Sequence, residues 1–403
     1  MFQKQSGKII LLLRVWLIAF LCVFTMSSGK TYIGHAQEIS ANNWQIFLPI
    51  VRNGLLPFQT SSKFIGIYMQ EYWTDDAVSA KLPSADSLAG KKHSVVGWFI
   101  DLQDIAFTSQ NDIRTNNFYR QLEALWKNGY ISFVNINIAT VKSVNTTNEK
   151  CPFSASAYQI ARGDCDNAIR RMAELYKQWI SAGAGRIAFL APLPEMNGVN
   201  ANGSIWTSYG GDAANFKLAY QRIINIFSEA GVGRGQVWWV FAPNGWSKEG
   251  HEFEKYFPDG SLVDMIGFSS YNYGYCHVAI PWQRWENFDT LFAPYLERIR
   301  QMAPSKPIIL AQTGTTAEYP KTGEVNIQQK NNWLRQNYEY LAQQPQVIGI
   351  LYYDYDQSSW DDQSGGECNW RILPGTTYQG YTEGVRNSAY QYLSAQSLKT
   401  ILP

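Results

Sequence analysis

The sequence of 403 residues has almost no excess of charge, with 34 lysines and arginines against 33 aspartates and glutamates. Proteins that bind nucleic acid or an anionic membrane surface carry a basic patch or stripe. A net charge of +1 gives no sign of one. We therefore expect no nucleic acid partner.

Several motifs of catalysis and cofactor binding are also missing. No Gly-x-Ser-x-Gly elbow is present, which argues against a hydrolase of the Ser/His/Asp type. The glycines of Gly231-Val-Gly-Arg-Gly235 precede a predicted strand, whereas a phosphate-binding loop follows one, so we interpret them as a helix stop and a turn. No spacing of the cysteines or of the four histidines is typical of a metal site. The sequence thus predicts no bound metal.

Long hydrophobic runs are confined to the N-terminus. An apolar run from Ile9 to about Met26 follows two lysines, and small residues at Gly34 and Ala36 suit a cleavage site. This pattern predicts a signal peptide over residues 1–36 and a secreted or extracytoplasmic protein without stable membrane association after cleavage. The alternative is an uncleaved anchor, because the run is close to spanning length, although Arg14 interrupts it.

Cysteine is scarce, with five in the whole chain. Cys22 lies in the predicted signal peptide, and the even number that remains indicates two disulfides in a secreted chain. Four cysteines allow three pairings. We favour Cys151–Cys165, which closes a short loop, and Cys276–Cys368, which ties two late loops together.

What the sequence does contain is a repeated alternation of short apolar segments and helical patterns. Eight segments are typical of strands buried on both faces. They are Phe64–Met69, Ser94–Asp101, Ile131–Ile138, Ile187–Leu193, Val237–Ala242, Met265–Ser270, Pro307–Gln312 and Val347–Tyr353. Eight repeats without a dinucleotide fingerprint favour an α/β fold of the (β/α)8 TIM-barrel type over an open parallel sheet. We expect one barrel domain over residues 61–398, preceded at 37–60 by a linker or a segment lying against the barrel's base.

Amphipathic spacing predicts the helices between these strands. The two clearest are Asp166–Ala182 and Ala213–Ala230, the second with Asp212 as its N-cap and Gly231 as its stop. The remaining predicted helices are Tyr295–Ala303, Asn326–Gln343 and, closing the fold, Asn387–Gln396.

Polar side chains stand at the predicted carboxyl ends of the strands, where the active sites of (β/α)8 barrels are built. They are Glu71, Asp101, Glu195, Asn244, Tyr271, Gln312, Asp354 and Asp356. The aromatic residues close to them in sequence are Trp73, Trp98, Trp206, Trp246, Tyr273, Trp360 and Trp370. Acids beside aromatic platforms fit carbohydrate chemistry, because glycoside cleavage needs one carboxylic acid to protonate the leaving oxygen and a second carboxylate beside it. Glu195 is the strongest candidate because it directly follows a buried strand, whereas Asp354 and Asp356 fit loop capping equally well.

A family resemblance becomes specific at this point. The segment Leu193-Pro-Glu-Met-Asn-Gly198, with Trp206 and Tyr209-Gly210 downstream, resembles the acid/base segment of family-26 glycoside hydrolases, the β-mannanase group. Segments similar to that family's later strands follow in the same order: Val237–Asn244, Asp264–Asn272, Lys306–Gly314, and Tyr352–Asp354 with Asn369–Arg371. The similarity spans about residues 60–395.

The resemblance implies a retaining (β/α)8 hydrolase that acts on a β-linked polysaccharide, β-mannan or a related β-glycan, without a metal or organic cofactor. It implies Glu195 as general acid/base, Tyr271 as the residue that holds the nucleophile, and Trp370 as a sugar platform. We expect the protein to be a monomer. The predicted substrate-binding residues are Tyr271, Asn197, Trp206, Trp246, Trp370 and Asp354.

The sequence also departs from the family's pattern. The family's seventh strand ends in the nucleophilic glutamate, and this chain has Gln312 there. A neutral amide cannot act as the carboxylate nucleophile. In addition, Pro194 replaces the usual histidine before the acid/base, and Ala191 replaces an arginine.

Two hypotheses follow. In the first, the protein is an active hydrolase in which Asp354, Glu71 or Asp101 replaces the lost carboxylate or activates water for inversion, or in which a substrate's own 2-acetamido group serves as nucleophile. Inversion needs carboxyl groups roughly 6.5–9.5 Å apart rather than about 5–5.5 Å. In the second, the protein is an inactive carbohydrate-binding barrel that keeps the aromatic groove without the chemistry.

Overall fold

A computed structural model describes residues 35–41, 44–50, 56–105, 116–140, 151–199, 203–276, 284–319, 322–358 and 368–402. The chain divides into two units, Met1–Leu56 and Pro57–Pro403. In the first unit, strands β1 (His35–Ala41) and β2 (Trp44–Ile50) pair antiparallel. The predicted signal peptide, including Cys22, lies almost wholly outside the described residues and stays a prediction, as does the role of residues 37–60.

The second unit contains a closed barrel of eight parallel strands. The strands are β3 (Phe64–Met69), β4 (Val95–Asp101), β5 (Ile131–Asn137), β6 (Phe189–Pro192), β7 (Trp238–Phe241), β8 (Met265–Asn272), β9 (Ile308–Thr315) and β12 (Val347–Asp354). The barrel closes where β12 pairs with both β9 and β3. This confirms the predicted (β/α)8 fold class and all eight predicted strands.

Helices lie between the strands and cover the barrel, while two-residue strands β10 (Glu318–Tyr319) and β11 (Glu324–Val325) pair with each other. The helices are α1 (Asp75–Ala89), α2 (Leu102–Ile105), α3 (Asn117–Lys127), α4 (Ala157–Arg162), α5 (Asp166–Ser181), α6 (Ala213–Glu229), α7 (Phe253–Tyr256), α8 (Phe288–Leu291), α9 (Ala293–Met302), α10 (Ile327–Ala342), α11 (Gln379–Val385) and α12 (Ala395–Ile401). Helix α6 is capped as predicted, because the Asp212 side chain accepts the amide of Asn215 and Gly231 has φ +83°. Among the described residues, no helix is both long and apolar enough to cross a membrane.

The predicted closing helix Asn387–Gln396 is wrong. Its first part pairs with the barrel instead, since Lys63 and Tyr390 form a parallel bridge and the amide of Gln391 donates to the carbonyl of Lys63 at 2.8 Å. The helix begins only after Ser394, whose hydroxyl accepts the amide of Ser397. Backbone hydrogen bonds to the base of the barrel therefore override the helical spacing of the side chains.

Both favoured disulfides are confirmed. Cys151–Cys165 joins Cα atoms 4.1 Å apart, and Cys276–Cys368 joins Cα atoms 5.4 Å apart. The second bond links the segment after β8 to the segment after β12, because Cys276 and Cys368 follow those strands. Two disulfides fit an oxidising, extracellular compartment.

Candidate active site

Glu195 follows β6 in an unusual backbone conformation. Leu193 and Glu195 both have φ of +55°, a left-handed conformation that residues other than glycine adopt at a cost of about 1–3 kcal/mol. Hydrogen bonds from neighbouring strands hold it, since the amide of Leu193 donates to Ile136 at 2.8 Å and the amide of Glu195 donates to Ala242 at 2.7 Å. Strain that the surroundings enforce in this way clusters at functional sites.

The Glu195 carboxyl group has two polar neighbours. The hydroxyl of Ser269, on β8, donates to Oε1, and the Asn244 side chain also forms a hydrogen bond with the carboxyl group. Burial raises the pKa of Glu195 above its usual value, and the bonds from Ser269 and Asn244 oppose that rise. The carboxyl group therefore keeps its proton to higher pH than an exposed glutamate and is suited to donate it.

Gln312 reaches the same site because β9 contains a bulge. Phe268 pairs with Leu310 and the next residue, Ser269, pairs with Gln312, so β9 has one extra residue here. The pairing of β9 with β12 is irregular at the same place. Bulges commonly re-aim a side chain next to an active site. Here the Tyr271 hydroxyl donates to Gln312 Oε1 at 2.8 Å.

Ser269 connects the two predicted catalytic positions. Its hydroxyl touches Glu195, and its backbone lies opposite Gln312 in the sheet. The sequence analysis missed Ser269, although side chains alternate along a strand and Ser269 shares a face with Tyr271. It named Tyr209 only as part of the family-like segment and gave it no role, whereas the Tyr209 hydroxyl donates to the carbonyl of Pro194 at 2.8 Å.

An aromatic wall lies beside Gln312. The ring centroid of Tyr271 lies 5.6 Å from that of Tyr353 and 5.1 Å from that of Trp370. The ring centroid of Tyr273 also lies 5.1 Å from that of Trp370. Trp370 is only 1% exposed, whereas Tyr271 and Tyr273 are partly exposed. The two tyrosines thus present the accessible surface, and Trp370 supports them from behind.

The other predicted aromatic residues divide into exposed and buried ones. Trp206 and Trp246 are 37% and 50% exposed, and Trp206 packs on Gly198, where an added Cβ would lie 2.2 Å from its ring. Trp73 and Trp98 are buried in the hydrophobic core and present no platform. Trp360 lies outside the described residues.

Two predicted substrate-binding residues make mainly internal contacts. The Asn197 side chain is buried, accepts the amide of Asn244 and donates to its carbonyl, both at 2.9 Å. Asp354 Oδ1 accepts the amides of Ile372 at 2.5 Å and Leu373 at 3.1 Å. Both residues therefore fix loops at the carboxyl end of the barrel.

The remaining strand-end acids differ in environment. Glu71 forms an ion pair with Lys81 at 3.1 Å, and Asp356 accepts the amide of Ser358 at 3.0 Å. Burial, with a smaller contribution from the charge of Asp104, raises the pKa of Asp101 to about 6.

Tyr209 connects Asp101 and Glu195 electrostatically. Burial raises the pKa of Tyr209 well above its usual value, and the charges of Glu195 and Asp101 raise it further. Its hydroxyl lies 3.4 Å from Asn137 Oδ1, and Asn137 pairs with Asp101 in the sheet. Within the described ranges, no group of three or more His, Cys, Asp or Glu side chains is arranged to hold a metal ion.

Comparison with known proteins finds this architecture in solved structures of family-26 glycoside hydrolases. No family model and no curated protein matches the sequence. The GH26 domain of an endo-β-mannanase/endo-β-glucanase from Prevotella bryantii is 14% identical, with a TM-score of 0.52 over 84% of this chain and 93% of that domain. A GH26 β-mannanase from Bacteroides ovatus is 12% identical, with a TM-score of 0.53 over 82% of this chain and 90% of its own.

A third similar structure contains a bound sugar. It is a β-mannanase from a symbiotic protist of the termite Reticulitermes speratus, in complex with gluco-manno-oligosaccharide. It is 12% identical, with a TM-score of 0.52 over 84% of this chain and 90% of its own. At such low identities the likeness shows the fold. The structural neighbours are thus family-26 β-mannanases, as the sequence resemblance predicted.

Proposed function

We propose that this protein is secreted, binds a β-linked polysaccharide across the carboxyl end of its barrel, and cleaves it with Glu195 as the general acid. β-Mannan or a related β-glycan is the proposed substrate class. The observation that carries the proposal is the environment of Glu195, a buried carboxyl group with a raised pKa, bonded to Ser269 and Asn244 and placed after β6. The family-26 fold and the accessible aromatic side chains support it.

The aromatic side chains suit the flat apolar faces of sugar rings. In this proposal the exposed rings of Trp206 and Trp246 bind sugars along the rim, and Tyr271 contacts the sugar at the cleaved bond. Trp370 acts through the wall that it forms with Tyr271. Asn197 holds the loop that carries Asn244.

The proposed chemistry begins with a proton from Glu195. The proton passes to the glycosidic oxygen as the bond between that oxygen and the anomeric carbon breaks. Water then adds to the anomeric carbon and loses a proton to a second carboxylate. Exchange with solvent then returns a proton to Glu195 and removes one from the second carboxyl group. Gln312 takes no covalent part, because an amide cannot replace the carboxylate nucleophile of a retaining enzyme. The product therefore has the inverted anomeric configuration.

Asp101 is our candidate for the second carboxylate. Of the three acids considered from the sequence, Glu71 is paired with Lys81 and Asp354 accepts two backbone amides. Asp101 lies at the end of β4, and it and Glu195 act on the same tyrosine, Tyr209. A base with a pKa of about 6 is ionised near neutral pH and suited to accept a proton from water.

A second candidate function is carbohydrate binding without turnover. Gln312 favours it, since a glutamine held by Tyr271 occupies the position of the family's nucleophile. Loss of a catalytic nucleophile alone lowers turnover by several orders of magnitude while binding can persist.

The test compares hydrolysis and binding in the same samples. Reducing-sugar release and affinity electrophoresis on β-mannan and mixed-linkage β-glucan are measured for the natural protein, Glu195→Gln and Glu339→Gln. Glu339 is exposed on α10 and serves as the matched control. We expect binding by all three and sugar release by all but Glu195→Gln. Binding without release by the natural protein identifies the second function, and absence of binding to either glycan refutes both.

A further inference from the structure

The segment Cys368–Leu373, here called the Trp370 loop, is held through its backbone by side chains from several elements of the barrel. Glu318 Oε2 accepts the amide of Asn369 at 3.0 Å, and the Tyr352 hydroxyl donates to the carbonyl of Trp370 at 2.8 Å. The Cys276–Cys368 disulfide ties the start of the loop to the segment after β8. These bonds fix the main chain on both sides of Trp370.

Lys330, on α10, adds a buried cation beneath the loop. It is 1% exposed, and its Nζ donates to the carbonyls of Trp370 at 3.2 Å and Arg371 at 2.9 Å. Its Nζ also lies 4.5 Å from the ring centroid of Tyr378. Burial lowers the pKa of Lys330 to about 7, and the charges of Asp354 and Glu318 oppose that shift.

Asp354 holds the following residues of the same loop. Its Oδ1 accepts the amides of Ile372 and Leu373. Burial raises the pKa of Asp354 to about 6, and these two bonds and the charges of Arg371 and Lys330 oppose that rise. Lys330 therefore binds carbonyl groups and Asp354 binds amide groups in one stretch of main chain. Buried charged groups are costly unless they are paired and hydrogen-bonded. Lys330 and Asp354 therefore need the hydrogen bonds of the loop, and the loop needs these two side chains to hold its main chain.

The indole of Trp370 connects the loop to the candidate active site. Its Nε1 donates to Gln357 Oε1 at 2.8 Å. One ring face has little free space, since a Cβ added at Gly314 would lie 3.2 Å from the indole. The ring also packs on Tyr271, whose hydroxyl holds Gln312. A shift of the loop would thus move the indole of Trp370, on which Tyr271 packs, and with it the Tyr271–Gln312 pair.

We propose that Lys330 and Asp354 are positioning residues that fix the Trp370 loop and thereby set the affinity of the site for its glycan. The proposal rests on the proposed function for its ligand, but the clamp itself is a property of the loop. Neither residue contacts sugar in this proposal; both act through Trp370 and Tyr271.

The chain offers a closely matched control in Lys63. This lysine is also fully buried and also donates to two backbone carbonyls, those of Gln344 and Val347, both at 2.7 Å. Its burial likewise lowers its pKa, to about 8. Lys63 lies at the opposite end of the barrel, however, where β3 and β12 begin. Lys63→Met removes the same kind of bonds without touching the Trp370 loop.

The experiment measures hydrogen exchange and glycan affinity for the natural protein, Lys330→Met, Asp354→Asn and Lys63→Met. Exchange is followed by mass spectrometry in peptides that cover residues 368–373, and affinity by electrophoresis on soluble β-mannan. We expect Lys330→Met and Asp354→Asn to speed exchange in the loop and weaken binding, each by about tenfold, as for loss of a buried hydrogen bond. Lys63→Met should lower the melting temperature without either effect.

A double substitution separates positioning from general destabilisation. In a Trp370→Ala background, Lys330→Met should weaken binding no further, because the side chain through which it acts is gone. Unchanged loop exchange in both Lys330→Met and Asp354→Asn, or equal loss of affinity in Lys63→Met, would overturn the proposal. If the natural protein binds no glycan, the proposed function fails, and loop exchange alone then decides whether the clamp exists.

Discussion

The hydroxyl of Ser269 donates to the carboxyl group of Glu195, and the same serine lies opposite Gln312 in the barrel sheet. The Glu195 carboxyl group is bonded by this neutral hydroxyl and by the neutral amide of Asn244. Without a neighbouring charge to favour ionisation, burial dominates and raises the pKa of Glu195. The proton on Glu195 is the basis of the first prediction.

Removing the Ser269 hydroxyl should raise the pKa of Glu195 further. The bond from Ser269 stabilises the ionised carboxylate and lowers the pKa, so Ser269→Ala removes a lowering influence. The high-pH limb of the rate profile should move to higher pH, because a general acid must be protonated. The pH dependence of kcat/KM on β-mannan measures this. Ser270→Ala is the control, since that hydroxyl bonds to the carbonyl of Leu291, and a shift of equal size there would contradict the prediction.

Removing the Tyr271 hydroxyl should weaken glycan binding by about tenfold, because loss of a hydrogen bond to a buried partner costs about 1–3 kcal/mol. Tyr271→Phe leaves Gln312 Oε1 without its donor. The dissociation constant for β-mannan oligosaccharides, measured by calorimetry, gives the effect. The matched variant is Tyr392→Phe, which loses a bond of the same length to the carbonyl of Gly129. Equal affinity in Tyr271→Phe and the natural protein would show that the Tyr271–Gln312 pair does not shape the site.

Asp101→Asn should stabilise the protein near neutral pH while abolishing hydrolysis. The pKa of Asp101 is raised from 3.8 to about 6 in the folded protein, so the folded state binds more protons and stability falls as pH rises through this range. The variant should gain up to about 3 kcal/mol in the free energy of unfolding at pH 7. The gain should shrink as pH falls below about 6 and vanish below 3.8. Urea unfolding at several pH values tests this, and a gain that persists at low pH would rule out the raised pKa.

Trp206→Ala and Trp246→Ala should both weaken binding, because stacking on a sugar ring disappears. Trp246 is 50% exposed, so its variant should lose little stability, whereas Trp206 is 37% exposed and packs on Gly198, so its variant should also lower the melting temperature. Affinity electrophoresis on β-mannan and melting temperature are compared with those of Leu218→Ala, an exposed apolar residue on α6. If both tryptophan variants bind β-mannan as tightly as Leu218→Ala does, the rim does not bind the glycan.

The strands were predictable because burial on both faces makes each a short continuous apolar run. The position of Glu195 followed from the same pattern, since a residue directly after such a strand lies at the catalytic edge of a barrel. The disulfide between Cys276 and Cys368 was also predicted, because both cysteines lie in late loops of the chain. These features depend on local pattern and on one topological rule.

Other features depend on contacts between distant segments. The bulge that turns Gln312 into the site arises from the pairing of β9 with two neighbours and has no signal within its own residues. The burial of Trp370 depends on a loop held by Lys330, which precedes it by 40 residues along the chain. Residues 387–394 have helical spacing, but their backbone bonds with Lys63 at the barrel's base decide their structure.

The most direct measurement of the central claim is the rate of reducing-sugar release from β-mannan by the natural protein, Gln312→Glu, and Gln312→Glu combined with Glu195→Gln. If Glu195 is the acid of a glycosidase site, restoring a carboxylate at residue 312 should raise the rate by at least about a hundredfold, and the added Glu195→Gln should remove the gain. Proton NMR of the first products should show the inverted anomer from the natural protein and the retained anomer from Gln312→Glu. No sugar release by either the natural protein or Gln312→Glu, from β-mannan or mixed-linkage β-glucan, would contradict the account.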